Sequence, residues 1–249
     1  MHNLIVNNVR VDAITKEDLE ASIIQSVVKR RKDVYAYVNV HAINLAQHDT
    51  AFRKFLNDAS VVYCDGEGVR LGGLILGSKL PPRIALTYFV WDLCASCEKQ
   101  GMSVFFLGAS VETVNRAVDI VKRKYPRLGV QGWHHGYFNK EGTESDQVIK
   151  LINGVKPNIL FVGFGMPVQE HWIAQNLARL ETNVILPCGS MIDYAAGQKN
   201  LSPVWMSDHG LEWLHRLVEE PTRLWRRYLL GNPLFLGRVL RQRFLQGKS

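Results

Sequence analysis

Short apolar runs and longer amphipathic segments alternate along most of the chain. The amphipathic segments repeat apolar side chains three or four residues apart, as from Val111 to Tyr125, and are predicted to be helices. Apolar runs rich in Val, Ile and aromatic residues predict buried strands at 34–38, 60–64, 103–107, 130–133, 159–162 and 183–187. Strands that alternate with helices indicate an α/β protein, with a mainly parallel sheet covered by helices on both faces.

The last 50 or so residues depart from this alternation. Ser202–Pro203 breaks the pattern, and only helical segments follow, punctuated by Pro221 and Pro233. No strand pattern occurs in this part of the sequence. We therefore expect two units, an α/β core at 1–197 and a helical appendage at 198–249.

A glycine turn follows one of the predicted strands. The apolar run at 159–162 leads into Gly163 and Gly165, and Gln169 and Glu170 then open a helical pattern. A buried strand that passes through a glycine turn into a helix presents backbone N–H groups to an anionic ligand. We interpret this turn as one wall of a nucleotide-sugar site. In the simpler interpretation, Gln169 and Glu170 only form the first helical turn, where an acidic residue suits the helix dipole.

A carboxylate stands at the end of another predicted strand. Asp65 follows the run at 60–64 and is succeeded by Gly66 and Gly68. α/β enzymes bind their ligands at the carboxyl edge of a parallel sheet, so Asp65 is a candidate for acid–base chemistry. A structural alternative is that Asp65 caps the helix predicted at 69–76.

The net charge of +7 is unevenly distributed. Beyond Pro221 every charged residue is basic, and aromatic and leucine side chains lie between them. Such a segment indicates an anionic partner, which could be a membrane surface, nucleic acid or a diphosphate. Its pattern is typical of an interfacial helix, and an interface between copies of the chain in a homo-oligomer is the alternative.

The sequence suggests a cytoplasmic protein with reduced cysteines. Neither a signal peptide nor an uninterrupted apolar stretch of about 18 residues is recognisable. Without a secretory signal, the four cysteines are expected to be free thiols. Cys94 and Cys97 have C-x-x-C spacing but no second pair, so packing on a helix explains them more simply than metal or redox chemistry.

Motifs along nearly the whole chain form an ordered series. They are Asn39, Asp65-Gly66-Glu67-Gly68, Pro82-Arg83, Leu107-Gly108, Tyr125-Pro126, Gly136-Tyr137-Phe138, Gly163-Phe164-Gly165-Met166-Pro167-Val168-Gln169-Glu170, Asp193, Ala196-Gly197, Gly210-Leu211-Glu212-Trp213, Arg216-Leu217, Glu220-Pro221, Arg223-Leu224 and Arg227-Tyr228. A lone glycine turn carries little information, but the complete series is specific. It resembles the WecG/TagA/CpsF glycosyltransferases (glycosyltransferase family 26).

This resemblance implies a Rossmann-like core and an inverting transferase. Such an enzyme adds one hexose-type sugar from a UDP-sugar to a polyprenyl-diphosphate-linked saccharide, in bacterial cell-surface or exopolysaccharide synthesis. It is cytoplasmic, and its helical appendage docks on the inner face of the cell membrane and completes the site. By the same resemblance Asp65 is the general base, and Gln169 and Asn39 are expected beside it as catalytic residues.

The remaining candidates suit this reaction. Backbone N–H groups and arginines stabilise the charge that develops on a UDP leaving group. The candidate substrate-binding residues are Arg83, Gly108, Gly136, Gly163, Gly165, Glu170 and Asp193, and those for contact with a diphosphate or the membrane are Arg216, Arg223, Arg226 and Arg227. No D-x-D pair ends a strand, and the family likeness also implies no metal, so we expect no metal, no other cofactor and no nucleic-acid partner.

Three departures from the family pattern bear on the choice of sugar and acceptor. Tyr37 stands where many members have threonine, and Tyr88 stands where many have aspartate. Residues 200–203, Asn-Leu-Ser-Pro, replace a common Arg-Ala-Pro, so one basic group is missing there. The sugar itself is therefore not predicted.

Two other classes of function are weighed against a transferase. A nucleotide-dependent oxidoreductase would use the turn at Gly163 and Gly165, but a third glycine at the required spacing and an acidic residue about 20 positions later are missing. A non-catalytic basic adaptor would leave Asp65, Asn39 and Gln169 without a task. Asn39 has a structural alternative as well, a hydrogen bond with backbone at the end of its strand.

Overall fold

The computed structural model describes residues 2–203, 205–206 and 210–246. Its strands are β1 (Asn3–Val6), β2 (Val9–Asp12), β3 (Asp33–Val38), β4 (Val61–Cys64), β5 (Ser103–Gly108), β6 (Gly129–His134), β7 (Ile159–Gly163) and β8 (Val184–Pro187). Its helices are α1 (Lys16–Val28), α2 (Val40–Ala46), α3 (Thr50–Asp58), α4 (Glu67–Ile75), α5 (Leu86–Lys99), α6 (Val111–Lys124), α7 (Gly142–Val155), α8 (Val168–Asn176), α9 (Met191–Ala195), α10 (Glu212–Glu219), α11 (Pro221–Trp225) and α12 (Gly231–Gln246), with a π-helical turn, Arg226–Leu230, before α12.

Six strands form one parallel sheet in the order β4-β3-β8-β7-β5-β6. Most of these strands are buried on both faces, which explains their continuous apolar runs. Successive side chains alternate between faces, so Phe105 and Phe106 enter opposite cores. Helices α1, α5, α6 and α9 cover one face, and α2, α3, α4, α7, α8 and α12 cover the other. The predicted α/β, Rossmann-like architecture is confirmed.

The first strands make a separate hairpin beside the sheet. β1 and β2 pair antiparallel around Asn7 and Asn8, whose φ angles are 48° and 66°. Asparagine tolerates this left-handed region better than most residues, which suits it to a tight hairpin turn. The Asp12 carboxylate then accepts the backbone N–H of Val62 at 2.7 Å. A donor on the outer edge of β4 is thereby satisfied.

The C-terminal helix packs closely on the core. Phe235 and Val239 of α12 are buried against α2 and α4, and a Cβ at Gly72 would lie 2.8 Å from the Phe235 ring. The carbonyl of Gly231 accepts a hydrogen bond from the Asn44 amide at 2.8 Å. The appendage is thus held to the core by both apolar and polar contacts, whereas the division at residue 197 stays a prediction.

Pro221 and Pro233 act differently in this helical segment. Pro221 occupies the first position of α11, where a missing N–H costs nothing. Pro233 lies inside the first turn of α12 and does not interrupt it, which corrects the expected break. The proline ring would crowd the carbonyl of Leu229 in a regular helix, and the preceding turn is the wider π-helix.

Two further boundaries differ from the sequence prediction. The sequence pattern predicts a helix over 168–180, but α8 ends at Asn176, where the Arg179 N–H turns back to the Asn176 carbonyl. Helix α9 was not predicted, because five residues are too few to show a helical period.

Cys94 and Cys97 are free and fully buried. Burial raises the pKa of the Cys97 thiol to about 12, which agrees with the interpretation that both side chains pack on a helix.

Candidate active site

A cleft of about 510 Å³ opens at the carboxyl edge of the sheet, with α10 and α11 on its far side. Several sequence candidates line it together: Asn39, Asp65, Gly136, Gly163, Gly165, Asp193, Arg216, Arg223 and Arg227. They come from distant parts of the chain, and the parallel sheet brings them together because its strands end at one edge. The cleft is therefore the candidate active site.

Asp65 lines the cleft and does not cap a helix. Its N–H donates to the Val38 carbonyl at 2.9 Å, which continues the pairing of β3 and β4 by one residue. Gly66 is the N-cap of α4, and no side chain caps that helix, so the capping alternative for Asp65 is wrong. A Cβ at Gly68 would lie 2.5 Å from Val40, so glycine there permits α4 to start against α2.

The surroundings of Asp65 set its charge. Removal of water around the carboxyl raises its pKa to about 7, and Glu212 acts in the same direction. The guanidinium groups of Arg216, Arg83 and Arg227 oppose this rise. A carboxyl with a pKa near 7 is a much stronger base than an ordinary aspartate, yet a large fraction of it is ionised at neutral pH.

Asn39 follows β3 directly and His41 lies in the first turn of α2, and both line the cleft together with Asp65. The Asn39 side chain accepts the Ala42 N–H at 3.1 Å and so caps α2, while the residue also lines the cleft. His41 lines the cleft too, and sequence reasoning missed it. Burial, assisted by the charge of Arg227, lowers the pKa of His41 to about 4, so its imidazole is neutral at physiological pH. Its position in the first turn after a strand was the available signal.

Tyr37 occupies the floor of the cleft. A Cβ placed on Gly189 would lie 2.8 Å from the Tyr37 hydroxyl, so the phenol fills the space beneath the loop after β8. Burial raises the pKa of Tyr37 well above its ordinary value, which keeps the hydroxyl protonated. The smaller threonine of many family members would leave this space open. Tyr88 does not line the cleft, although its neighbour Thr87 does.

Lys199 lies close to the third departure from the family pattern. It lines the cleft and forms an ion pair with Glu220 at 2.6 Å. Its charge lowers the pKa of Asp193, which burial raises more strongly. A basic group thus stands beside the segment 200–203, which lacks the common arginine.

Within the described part of the chain, no three His, Cys, Asp or Glu side chains cluster so as to hold a metal ion.

The loops after β5, β7 and β8 touch one another through glycines. A Cβ at Gly163 would lie 2.7 Å from the Gly189 carbonyl oxygen, and a Cβ at Gly108 would lie 2.4 Å from the Gly163 carbonyl oxygen. Any side chain at either position would force these loops apart. Gly165 has a φ of 86°, a backbone conformation that residues with a side chain rarely adopt, so glycine is favoured there by conformation and not by lack of space. Gly108 supports the wall from behind, whereas Gly163 and Gly165 line it.

Gln169 and Glu170 lie behind this wall and not on its surface. The Gln169 carbonyl oxygen accepts the N–H groups of Gly165 at 3.2 Å and Gly189 at 3.0 Å. Its amide nitrogen donates to Glu170 at 2.7 Å. Gln169 is 0% exposed and Glu170 is 1% exposed, and neither lines the cleft. The structure therefore gives Gln169 the geometry of a clamp between two loops.

Replacing Gln169 by leucine should destabilise the protein and loosen the cleft. Two partly buried N–H groups would lose their acceptor, at up to about 1–3 kcal/mol for each group left unsatisfied. We expect a clear fall in the free energy of unfolding, measured by urea denaturation, together with reduced turnover. Gln175→Leu is the matched control, because Gln175 is exposed on the same helix. Equal stability of the two variants would contradict the clamp.

The C-terminal arginines separate into two groups. Arg216, Arg223 and Arg227 line the cleft, whereas Arg226 lines no part of it. Arg226 is exposed and stacks over Trp225, with its guanidinium carbon 5.2 Å from the ring centroid. Among the described residues the buried Nε of Arg227 has no hydrogen-bond partner. A donor of this kind, at the wall of a cleft, is suited to an anionic ligand.

Arg83 lies beside the cleft and not in its lining. Its guanidinium pairs with Glu212 of α10 at 2.6 Å and approaches Glu67 of α4 at 3.7 Å. This pair links the core to the C-terminal helices next to Asp65. Arg83 lines an adjoining cavity that also includes Asp65.

The chain is similar to known proteins over nearly its whole length. The profile of the Glycosyl transferase WecG/TagA/CpsF family matches residues 4–249. The chain belongs to this family. Two relatives from Staphylococcus aureus, strains MW2 and COL, are each 29% identical to it over 201 residues, which cover 81% of this chain and 77% of the relative. Both are named N-acetylglucosaminyldiphosphoundecaprenol N-acetyl-beta-D-mannosaminyltransferase.

Membership in this family confirms the resemblance of the motif series. The protein is a glycosyltransferase, and neither an oxidoreductase nor a non-catalytic adaptor agrees with that assignment. The matched residues span both the sheet and the C-terminal helices, so the assignment covers the core and the appendage.

Proposed function

We propose that this glycosyltransferase moves a hexose-type sugar from a UDP-sugar to a polyprenyl-diphosphate-linked saccharide, with inversion at the anomeric carbon. The role would lie in the synthesis of a bacterial cell-surface polymer. The observation that carries this proposal is the Asp65 carboxyl. Burial raises its pKa to about 7, and the residue lies where the arginine-lined cleft meets a second cavity. The names of the two relatives support a lipid-diphosphate acceptor.

The proposed reaction is a single displacement. The Asp65 carboxylate takes the proton of an acceptor hydroxyl while that oxygen bonds to the anomeric carbon of the donor. The bond between the anomeric carbon and UDP breaks at the same time, and its electron pair leaves with UDP. Attack opposite to the leaving group inverts the anomeric configuration. Asp65 is then regenerated when its proton passes to water.

In this proposal the departing UDP is neutralised by arginines and no metal takes part. Arg216, Arg223 and Arg227 lie on the α10–α11 side of the cleft, and the unpartnered Nε of Arg227 supplies a donor for a phosphate oxygen. The glycine turn at Gly163 and Gly165 forms the opposite wall. Asn39 would orient the acceptor, and Gln169 would hold the wall in place without touching substrate.

A transfer assay tests the proposal. The protein is incubated, in the presence of EDTA, with a short-chain polyprenyl-diphosphate N-acetylglucosamine and a panel of UDP-sugars that includes UDP-N-acetylmannosamine. We expect release of UDP and a new lipid-linked disaccharide with one donor of the panel. If folded protein transfers no sugar from any UDP donor, the proposal is wrong.

We also propose that the appendage docks on an anionic membrane surface at the cytoplasmic face. Leu230, Leu234, Arg241 and Phe244 recur at helical spacing along its outer side and are exposed, opposite the buried Phe235. Apolar side chains among arginines suit the boundary between lipid tails and anionic headgroups. Within residues 2–203, 205–206 and 210–246, every helix is too short or too polar to cross a bilayer.

A double substitution, Leu234→Gln with Phe244→Gln, tests this docking. Each side chain contributes about 1.5–3 kcal/mol when fully buried in an apolar phase, so we expect cosedimentation with phosphatidylglycerol vesicles to weaken about tenfold or more. Val28→Gln with Leu151→Gln is the control, since both residues are exposed on other helices. Unchanged vesicle binding together with a smaller mass in sedimentation velocity would instead assign the surface to a homo-oligomer.

A further inference from the structure

A second cavity of about 600 Å³ adjoins the cleft. It runs between α4 and α12, and we call it the α4–α12 groove. The residues that it shares with the cleft are Asn39, His41, Asp65, Arg216, Arg227 and Tyr228. The groove and the cleft thus meet at Asp65, so two substrates could reach the same carboxylate.

The lining of the groove combines charged and apolar side chains. Arg70 pairs with Glu67 at 2.6 Å, and Arg83 pairs with Glu212 at 2.6 Å and approaches Glu67 at 3.7 Å, so ion pairs hold both guanidinium groups in place. An arginine has five N–H donors, so each guanidinium retains donors for a further anion. The buried Nε of Arg70 has no hydrogen-bond partner among the described residues.

Leucines form the apolar part of the lining. Leu71 is 47% exposed and Leu74 is 56% exposed, although both belong to a helix that is otherwise well packed. Leu236 of α12 lines the opposite wall. Close packing at Gly72, which contacts the Phe235 ring, fixes the distance between the two helices. The two helices that form the walls of the groove are therefore held at a fixed distance. Leu71 and Leu74 remain exposed among the described residues.

We infer that the α4–α12 groove binds the polyprenyl-diphosphate part of the acceptor. The diphosphate lies at Arg70 and Arg83, and the first isoprene units lie along Leu71 and Leu74. This inference rests on the proposed function. It follows from chemistry, because only the acceptor joins a diphosphate to an apolar chain, whereas a UDP-sugar is polar throughout and suits the cleft. The acceptor sugar then reaches Asp65 from the groove and the donor from the cleft.

The double substitution Leu71→Gln with Leu74→Gln tests the inference. Glutamine is a good helix former of similar length, and both positions are exposed, so the fold should be retained. Two acceptors that carry the same diphosphate sugar are compared in solution without vesicles, one on a farnesyl chain and one on a methyl group. We expect the KM for the farnesyl acceptor to rise about tenfold or more, as lost apolar contact predicts. The KM values for the methyl acceptor and for the UDP-sugar should not change.

Leu151→Gln is the matched control, since Leu151 is exposed on α7, away from both cavities. If the wild-type protein uses neither acceptor, the proposed function fails. If it uses both and the double variant keeps the wild-type KM for the farnesyl acceptor, the groove inference alone is overturned. An equal rise for both acceptors would also overturn it, because the leucines would then act on something other than the chain.

Discussion

Asp65→Asn is expected to lower kcat by about 10²–10⁴-fold, the usual contribution of a general base. Asparagine keeps the size of the side chain but cannot accept the hydroxyl proton. Asp92→Asn is a suitable control, because that carboxylate pairs with Lys16 on the surface at 2.8 Å. Initial rates of UDP release at saturating substrate measure the effect. Full activity of Asp65→Asn would remove Asp65 as the base.

The pKa of Asp65 adds a pH dependence to this expectation. The base must be ionised, so kcat/KM of the wild-type protein should rise as the pH passes through about 7 and level off above it. Folding raises this pKa above its unfolded value. Between about pH 4 and pH 7 the folded state therefore binds a proton that the unfolded state has released, and stability falls as the pH rises. The contribution of Asp65 to stability is therefore lost as the pH rises through about 7. Asp65→Asn should unfold at the same or a higher temperature than wild type at pH 8, which separates lost chemistry from lost folding.

Arg227→Ala is expected to lower kcat about 100-fold or more, because a preorganised donor to the departing diphosphate would be lost. The adjacent substitution Arg226→Ala is a close control. It removes the same charge one residue away, from an exposed side chain that does not line the cleft. Its turnover of a soluble acceptor should remain near the wild-type value.

The two arginines should also differ in vesicle binding. Arg226→Ala should weaken cosedimentation with phosphatidylglycerol vesicles, since each basic residue near an anionic surface contributes about 1 kcal/mol. Arg227→Lys should recover only part of the lost turnover, because an ammonium group lacks the two-pronged geometry of a guanidinium. Equal losses of turnover in Arg226→Ala and Arg227→Ala would contradict separate roles for these neighbours.

The sheet and its helices were predictable because each buried strand is a continuous apolar run and each long helix repeats apolar residues every three or four positions. What failed was local. The five residues of α9 are too few for a period, and Pro233 is tolerated because it lies in the first turn of α12 behind a π-helical turn. The hairpin of β1 and β2, by contrast, was predictable, because alternating apolar and polar residues flank the turn at Asn7 and Asn8.

The lining of the cleft was predictable where its residues stand at strand ends, as Asp65 and Asn39 do. A parallel sheet brings those ends together whatever the helices do. Gln169 is different, because its side chain points to the wall or to the cleft according to the rotation of α8 about its own axis. That rotation is set by packing against other elements, which one sequence does not display. The separation of Arg226 from Arg227 depends in the same way on how the C-terminal helices lie on the core.

The structure of the product tests the central claim most directly. The wild-type protein is supplied with a UDP-sugar of defined anomeric configuration and a polyprenyl-diphosphate saccharide, and the lipid product is isolated for mass spectrometry and for the one-bond coupling between its anomeric carbon and proton. Direct displacement with Asp65 as base predicts a mass increase of one sugar residue and an inverted anomeric centre. A product that retains the donor configuration, or a sugar released to water instead of the acceptor, would contradict it.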